Sequence, residues 1–311
     1  MSRPRPMPTL VGAHALLALL ALSGLVACGP SPSTLKAGSG PISVVAAENF
    51  WGSVAAQLGG SRVRVRSVIT DPAADPHEYE TNPADARAFA DAALVIVNGA
   101  GYDDWAQKLL AANPEPGRRV IDIAHVLGRR RGDNPHFWYD PAGVATAVGA
   151  IERELIAIEP SAAQFFSAQF QDTATAFAPY RAEVAAIRSR FQGTRVGSTE
   201  TVFVYMAQAL GLILISPPAF MAAVSNGTEP AVSDLIQFQD QIRAKDISAL
   251  VDNVQAQSSI TAGLVAMAAS RGIAVLDVTE TMPAGEPTFE AWQLSQLDSL
   301  QSDLARSGAA S

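Results

Sequence analysis

Four short segments of this chain carry side chains suited to holding a metal ion. His77 stands in Asp75-Pro76-His77-Glu78-Tyr79, and His136 stands in Asn134-Pro135-His136-Phe137-Trp138. In both, proline directly precedes the histidine and favours a loop, and each loop follows a strand-like run, where open α/β sheets place ligands. A neutral imidazole offers a nitrogen lone pair near neutral pH, so the two Pro-His loops predict a pair of metal ligands. The alternative for each ring is a hydrogen bond to a loop carbonyl. In the second half, Glu200 lies in Gly197-Ser198-Thr199-Glu200-Thr201 and Glu280 in Asp277-Val278-Thr279-Glu280-Thr281, again just after strand-like runs. Glu200 has a second reading as a first-turn helix residue favoured by the helix dipole, and either acid could be a solvated or capping carboxylate. His125 follows a strand inside an amphipathic stretch and reads as structural or surface.

The elements that must position these residues alternate between strand and helix. Strand-like runs occur at 42–47, 62–69, 94–98 and 120–123, and again at 195–198, 212–216, 247–252 and 273–277, with helical patterns between them. Residues 62–69 alternate apolar and basic side chains, as a strand with one wet face does, whereas 94–98 is an unbroken apolar run suited to a buried parallel strand. Two strongly helical stretches, 141–158 and 161–191, separate the two regions. The second could span roughly 45 Å at 1.5 Å per residue, although Pro179 predicts a kink or a division into two helices. The expected architecture is α/β: two lobes with mainly parallel sheets, joined by a long helical brace, with the metal site in the interlobe cleft. The corresponding segments are 28–41 as a flexible tether, 42–158 as the first lobe, 159–192 as the linking helix and 193–311 as the second lobe.

Composition fits a folded chain of this size. Of 311 residues, 48% are hydrophobic and 17% charged, which excludes extended disorder for most of the chain. The 30 acidic residues exceed the 22 Lys and Arg, for a net charge of −8, which argues against a nucleic-acid partner. The chain lacks His-Glu-x-x-His, a Gly-x-Ser-x-Gly elbow and a Walker-type loop, so no nucleophile or phosphate motif supports catalysis.

Cys28 is the single cysteine, which excludes an internal disulfide. Before it, Arg3 and Arg5 precede an apolar run at 10–27 that closes on Leu25-Val26-Ala27-Cys28-Gly29. A basic start, a short apolar segment and small residues before a cysteine match a secretory signal ending in a bacterial lipobox, with residues 1–27 removed and Cys28 lipidated. The competing reading, a transmembrane anchor, requires spanning the bilayer with about 18 residues that include Gly24.

Taken together, these motifs resemble the zinc- and manganese-binding substrate-binding lipoproteins of bacterial ABC importers. The most specific pieces are Asp75-Pro76-His77-Glu78-Tyr79-Glu80, Pro135-His136-Phe137-Trp138-Tyr139-Asp140-Pro141, and Gly197-Ser198-Thr199-Glu200 with the following 205–211. The resemblance implies one ligand from each of four loops, two per lobe: His77, His136, Glu200 and an acid after the last strand. For that acid, the following Met282-Pro283 and the aromatic helix around Phe289 and Trp292 select Glu280, whereas Asp277 sits nearer the strand and is the alternative fourth ligand. It further implies an extracytoplasmic, lipid-anchored monomer that carries one zinc or manganese ion to a permease and its ATPase. Where the zinc-specialised branch often carries a long His-rich acidic loop, residues 128–133 read Gly-Arg-Arg-Arg-Gly-Asp.

Two imidazoles and two carboxylates balance a divalent cation's charge, and the mixed donors suit four-coordinate zinc, or manganese if a carboxylate binds through both oxygens. Drawing ligands from both lobes links metal occupancy to interlobe geometry, with the brace limiting any change to a small tilt or a loop rearrangement. The rival functions are a metalloenzyme with an open coordination position, and an adhesin or structural lipoprotein on the same fold.

Overall fold

Val44, Val45, Ala46 and Ala47 are all buried, so the strand that carries them must be covered on both faces. In the computed structural model, which describes residues 40–71 and 79–308, this strand is β1 (Ile42–Glu48). It is followed by α1 (Asn49–Gly59), β2 (Val63–Ile69), α2 (Pro83–Asp91), β3 (Leu94–Val97), α3 (Asp104–Ala112), β4 (Arg119–Asp122) and the single turn α4 (Ile123–Val126). The four strands form a parallel sheet in the order β2-β1-β3-β4. The edge strand β2 keeps its alternation, with Arg64 and Arg66 exposed between half-buried Val63, Val65 and Ser67.

After α5 (Pro141–Ile158), α6 (Ala163–Ala176) and α7 (Ala178–Phe191), the pattern repeats as β5 (Arg195–Ser198), α8 (Val204–Leu210), β6 (Ile213–Leu214), α9 (Pro218–Ser225), α10 (Val232–Ala244), β7 (Ala249–Asn253), α11 (Ser259–Ser270), β8 (Ala274–Val278) and α12 (Phe289–Arg306). This second sheet is also parallel, in the order β6-β5-β7-β8. The two sheets therefore share one strand order. The sequence predicts a strand over 212–216, but β6 is only Ile213–Leu214. Ile215 still donates to Val196 O, after which the Ser216 hydroxyl takes the Ser198 N–H in place of a carbonyl and Pro217-Pro218 turns the chain into α9.

The helical connection is two helices in tandem. Pro179 has no N–H to donate, and it lies in the first turn of α7, where a helix has donors to spare. Phe177 N still donates to Thr173 O, and Arg181 N to Phe177 O, so helical bonding resumes at once. α6 packs on α1 and α5, and α7 packs on α8 and α12.

One apolar core runs through both lobes, from Val44 and Ile96 to Val196, Val251 and Leu276. Aromatic rings fill its middle: Phe50 stacks on Trp138 at 4.2 Å, Phe177 stacks on Phe289 at 5.7 Å, and Tyr139 meets Trp292 edge-on at 6.0 Å. The outer face of each sheet has a separate core, one around Phe89 and Trp105 and one around Phe220 and Phe238. Hydrogen bonds also cross between lobes: Asn49 Nδ2 donates to Met282 O (2.9 Å) and Met282 N to Asn49 Oδ1 (3.0 Å). These contacts oppose a wide hinge opening, since exposing three such rings would cost on the order of 5 to 9 kcal/mol. Among the described residues no helix is long and apolar enough to cross a membrane. The signal, Cys28 and most of the tether, through residue 39, lie outside the described residues.

Candidate metal centre

Strand order reverses direction between β1 and β3 and again between β5 and β7, which opens a crevice at the carboxyl ends of each sheet. His136, Glu200 and Glu280 reach this region from three loops. One donor atom of each lies within 4.8 Å of the others, and all three side chains are buried. His77 lies outside the described residues.

His136 opens a short 3-10 turn, Phe137–Tyr139, and its ring is held by Asn134 two residues earlier. Asn134 Oδ1 accepts from the His136 backbone N–H (3.1 Å) and lies 2.7 Å from ring Nδ1. An amide oxygen only accepts, so Nδ1 carries a proton, and Nε2 is the nitrogen turned toward the acids and available to a cation once deprotonated. That Nε2 lies 3.7 Å from Glu280 Oε2. Asn134 is fixed in turn from the second lobe: its Nδ2 donates to Thr201 O, and its carbonyl accepts from the Tyr205 hydroxyl. Asn98, at the end of β3, donates from Nδ2 to Pro135 O (2.9 Å) and accepts from Trp51 Nε1 (3.1 Å). The Pro-His loop is thus fixed from both sides.

Glu200 is 1% exposed and lies in the loop between β5 and α8. Because α8 begins only at Val204, Glu200 is not a first-turn helix residue. Glu280, 2% exposed, follows β8, and Gln255 Oε1 accepts from the backbone N–H of Glu280 (2.6 Å) and Thr281 (3.0 Å). Two neutral side chains hold the acids. Asn253 Nδ2 donates to Glu200 Oε1 (3.0 Å) and to Glu280 Oε1 (2.7 Å), and the Tyr102 hydroxyl donates to Glu280 Oε2 (2.8 Å).

Asp277 is placed differently. The alternation along β8 buries Leu276 and Val278 and leaves Asp277 exposed between them, outside the grouping. His125 is exposed on α4, as a surface residue. Sequence reasoning did not single out Asn134, Asn253, Asn98 or Tyr102. Asn134 was findable, since it sits two residues before a candidate ligand; the other three act across long separations and carry no local signal.

Electrostatics link the three buried groups. Burial lowers the His136 pKa, but the Glu200 and Glu280 carboxylates outweigh it and leave the ring above its usual value. Burial raises the Glu200 pKa; the His136 charge opposes this and the Glu280 carboxylate adds to it. A divalent cation bound by these groups would replace the protons that offset the buried negative charge. A cavity of about 440 Å³ adjoins the cluster, bordered by Tyr102, Asn134 and Thr201 and, farther out, by Arg131 and Ser225.

Comparisons with known proteins agree with this architecture. Residues 44–303 match the family model described as zinc-uptake complex component A, periplasmic. The manganese-binding lipoprotein of Halalkalibacterium halodurans is 28% identical over 149 residues, which cover 45% of this chain and 48% of that protein, so the match spans about half of the relative. The manganese ABC transporter substrate-binding lipoprotein of Streptococcus pneumoniae is 21% identical over 244 residues, 74% of this chain and 77% of that one. A substrate-binding protein of Pseudomonas aeruginosa, solved with Mn2+, shares the fold with a TM-score of 0.71 at 21% identity, covering 86% of this chain and all of that one.

Proposed function

The chain belongs to the zinc-uptake complex component A family, and from that premise we propose that it captures a divalent transition metal, zinc or manganese, outside the cytoplasm and delivers it to an ABC importer. Its partners are a permease with its ATPase, and a lipid on Cys28 holds the monomeric carrier at the membrane. The ligands are His136, Glu200 and Glu280, with His77 as the fourth; Glu280 is preferred over Asp277 because it lies in the buried grouping. The reading is of a carrier without turnover: four protein donors leave zinc no open position for a substrate.

One observation carries the reading: an imidazole and two carboxylates, all buried, converge from both lobes at the carboxyl ends of two parallel sheets. Three such groups far from water are costly unless a cation or proton balances them. Thermal unfolding of the dialysed protein tests it. Micromolar zinc or manganese should raise the midpoint by mass action, and His136→Ala or Glu200→Ala should abolish the rise. An equal rise in both variants contradicts the reading.

A further inference from the structure

We propose that Asn253 is the specificity-determining residue of this site, holding Glu200 and Glu280 by one oxygen each so that each binds metal through the other oxygen alone, which favours zinc over manganese. The inference rests on the function proposed above and assigns a role to a residue outside the ligand set.

Asn253 ends β7 and is 1% exposed. Its amide orientation is fixed by its neighbours: Oδ1 accepts from Gln255 N (3.0 Å), so Nδ2 faces the two acids. The backbone N–H of Asn253 is also held, by Thr199 Oγ1 at 3.2 Å. The two Nδ2 protons go to Glu200 Oε1 (3.0 Å) and Glu280 Oε1 (2.7 Å). Each acid therefore has one oxygen turned to a rigid amide. The other oxygen of Glu280, Oε2, lies 3.7 Å from His136 Nε2, on the side where a shared ion would sit; it accepts from the Tyr102 hydroxyl (2.8 Å), a donor that can rotate away from an incoming ion as the fixed amide cannot.

A carboxylate oxygen already accepting a short amide hydrogen bond is a weaker donor to a metal and is fixed in direction. Each oxygen keeps a second lone pair, so the amide does not block it outright; binding through both oxygens turns the carboxylate toward the ion and draws it off the amide, and a buried N–H left unpaired costs about 1–3 kcal/mol. Manganese prefers a larger, oxygen-rich, near-octahedral shell, whereas zinc is satisfied by four nitrogen and oxygen donors. The amide thus penalises the ion that needs the extra oxygens. Zinc outranks manganese at most sites of this donor type, so the informative quantity is the change in their affinity ratio on substitution.

The experiment measures zinc and manganese dissociation constants of the full chain by chelator competition, for the wild type, Asn253→Ala, Asn253→Asp and His136→Ala. Asn253→Ala removes the whole side chain and is the deciding variant; Asn253→Asp keeps an oxygen for Gln255 N but replaces the donor with an acceptor and adds a carboxylate beside the two acids, so it should shift the ratio at least as far. Both should lower the zinc-to-manganese affinity ratio by about tenfold, the change that relieving roughly 1–3 kcal/mol of unpaired N–H cost on the manganese side would give. Zinc-edge X-ray absorption of the wild type should show four light-atom ligands and no bidentate carboxylate. An unchanged ratio in both variants, or five to six ligands in the wild type, overturns the role of Asn253 while leaving metal capture intact. If the wild type binds neither metal, or His136→Ala binds as tightly, the proposed function itself fails.

Discussion

Asn98 and Asn253 are counterparts: each is buried at the carboxyl end of the third strand of its sheet, and each directs its side-chain N–H groups to a loop that carries a candidate ligand. Asn98 holds Pro135 O, one residue before His136, and Asn253 holds Glu200 and Glu280 directly. Because the sheets share one strand order, the fold delivers the same amide device from both sides of the cleft. Replacing Asn98 with Ala frees the Pro135 carbonyl and leaves the buried Trp51 Nε1–H without its acceptor. We expect a loss of about 1–3 kcal/mol in stability. Metal affinity should fall about 10-fold to 100-fold. Chemical denaturation and chelator competition read the two effects separately.

Tyr102 should act in the opposite direction on affinity. Its hydroxyl donates to Glu280 Oε2, an oxygen that a metal would need, so it competes with the ion for that atom. Tyr102→Phe removes the competitor, and metal should bind several-fold more tightly and leave more slowly. Stopped-flow transfer of zinc to an excess of chelator measures the release rate, and faster release would contradict the competition.

Metal affinity should fall steeply as pH drops through neutrality. The His136 ring and the Glu200 carboxyl both hold protons more tightly than usual, and both must lose them to bind a cation. Binding should therefore release protons, with the release persisting to higher pH than a free imidazole would give. Calorimetric titration in buffers of different ionisation enthalpy counts the protons; heats that do not depend on buffer between pH 6 and 7.5 would contradict the linkage.

Two further acids set a pH dependence of folding. Burial pushes Asp103 up from 3.8 to about 6, against lowering hydrogen bonds from the backbone of Gly99 and Asn98. Burial, with the neighbouring Asp103 charge, pushes Glu48 well above its usual value. Raised carboxyl values mean that the native state holds protons the unfolded chain has released. The stabilisation is full below pH 3.8 and is lost as pH rises toward and through about 6, an effect on the order of 3 kcal/mol for Asp103. Glu48→Gln removes one buried titrating group beside Asp103, so stability at pH 8 should rise and its decline from pH 4 to 8 should flatten. Urea midpoints across that range test it, and an unchanged slope would count against the assignment.

Much of the scaffold was legible because it follows from period and punctuation. Unbroken apolar runs gave the central strands β1 and β3, and the basic alternation gave the edge strand β2. Pro179 marked the division between α6 and α7. The expected strand at 212–216 was too long because Ser216 uses its hydroxyl, in place of its backbone, to continue the ladder, and composition does not show that. Within the site, Pro135 marked the His136 loop and strand ends marked both acids. Asp277 and Glu280 are separated by the alternation of β8, which extends one residue beyond the expected end, to Val278, and leaves Asp277 on the wet face. Asn253 was not legible, because its bonding partners lie 53 and 27 residues away and meet only after two loops have folded together.

The central claim is that one cation is shared by His136, Glu200 and Glu280 between the two lobes. Anomalous diffraction from crystals of the zinc-loaded chain tests it most directly. The account predicts a single strong peak about 2.0–2.2 Å from His136 Nε2 and from one oxygen each of Glu200 and Glu280. A peak bound elsewhere, or these three side chains without one, would contradict it.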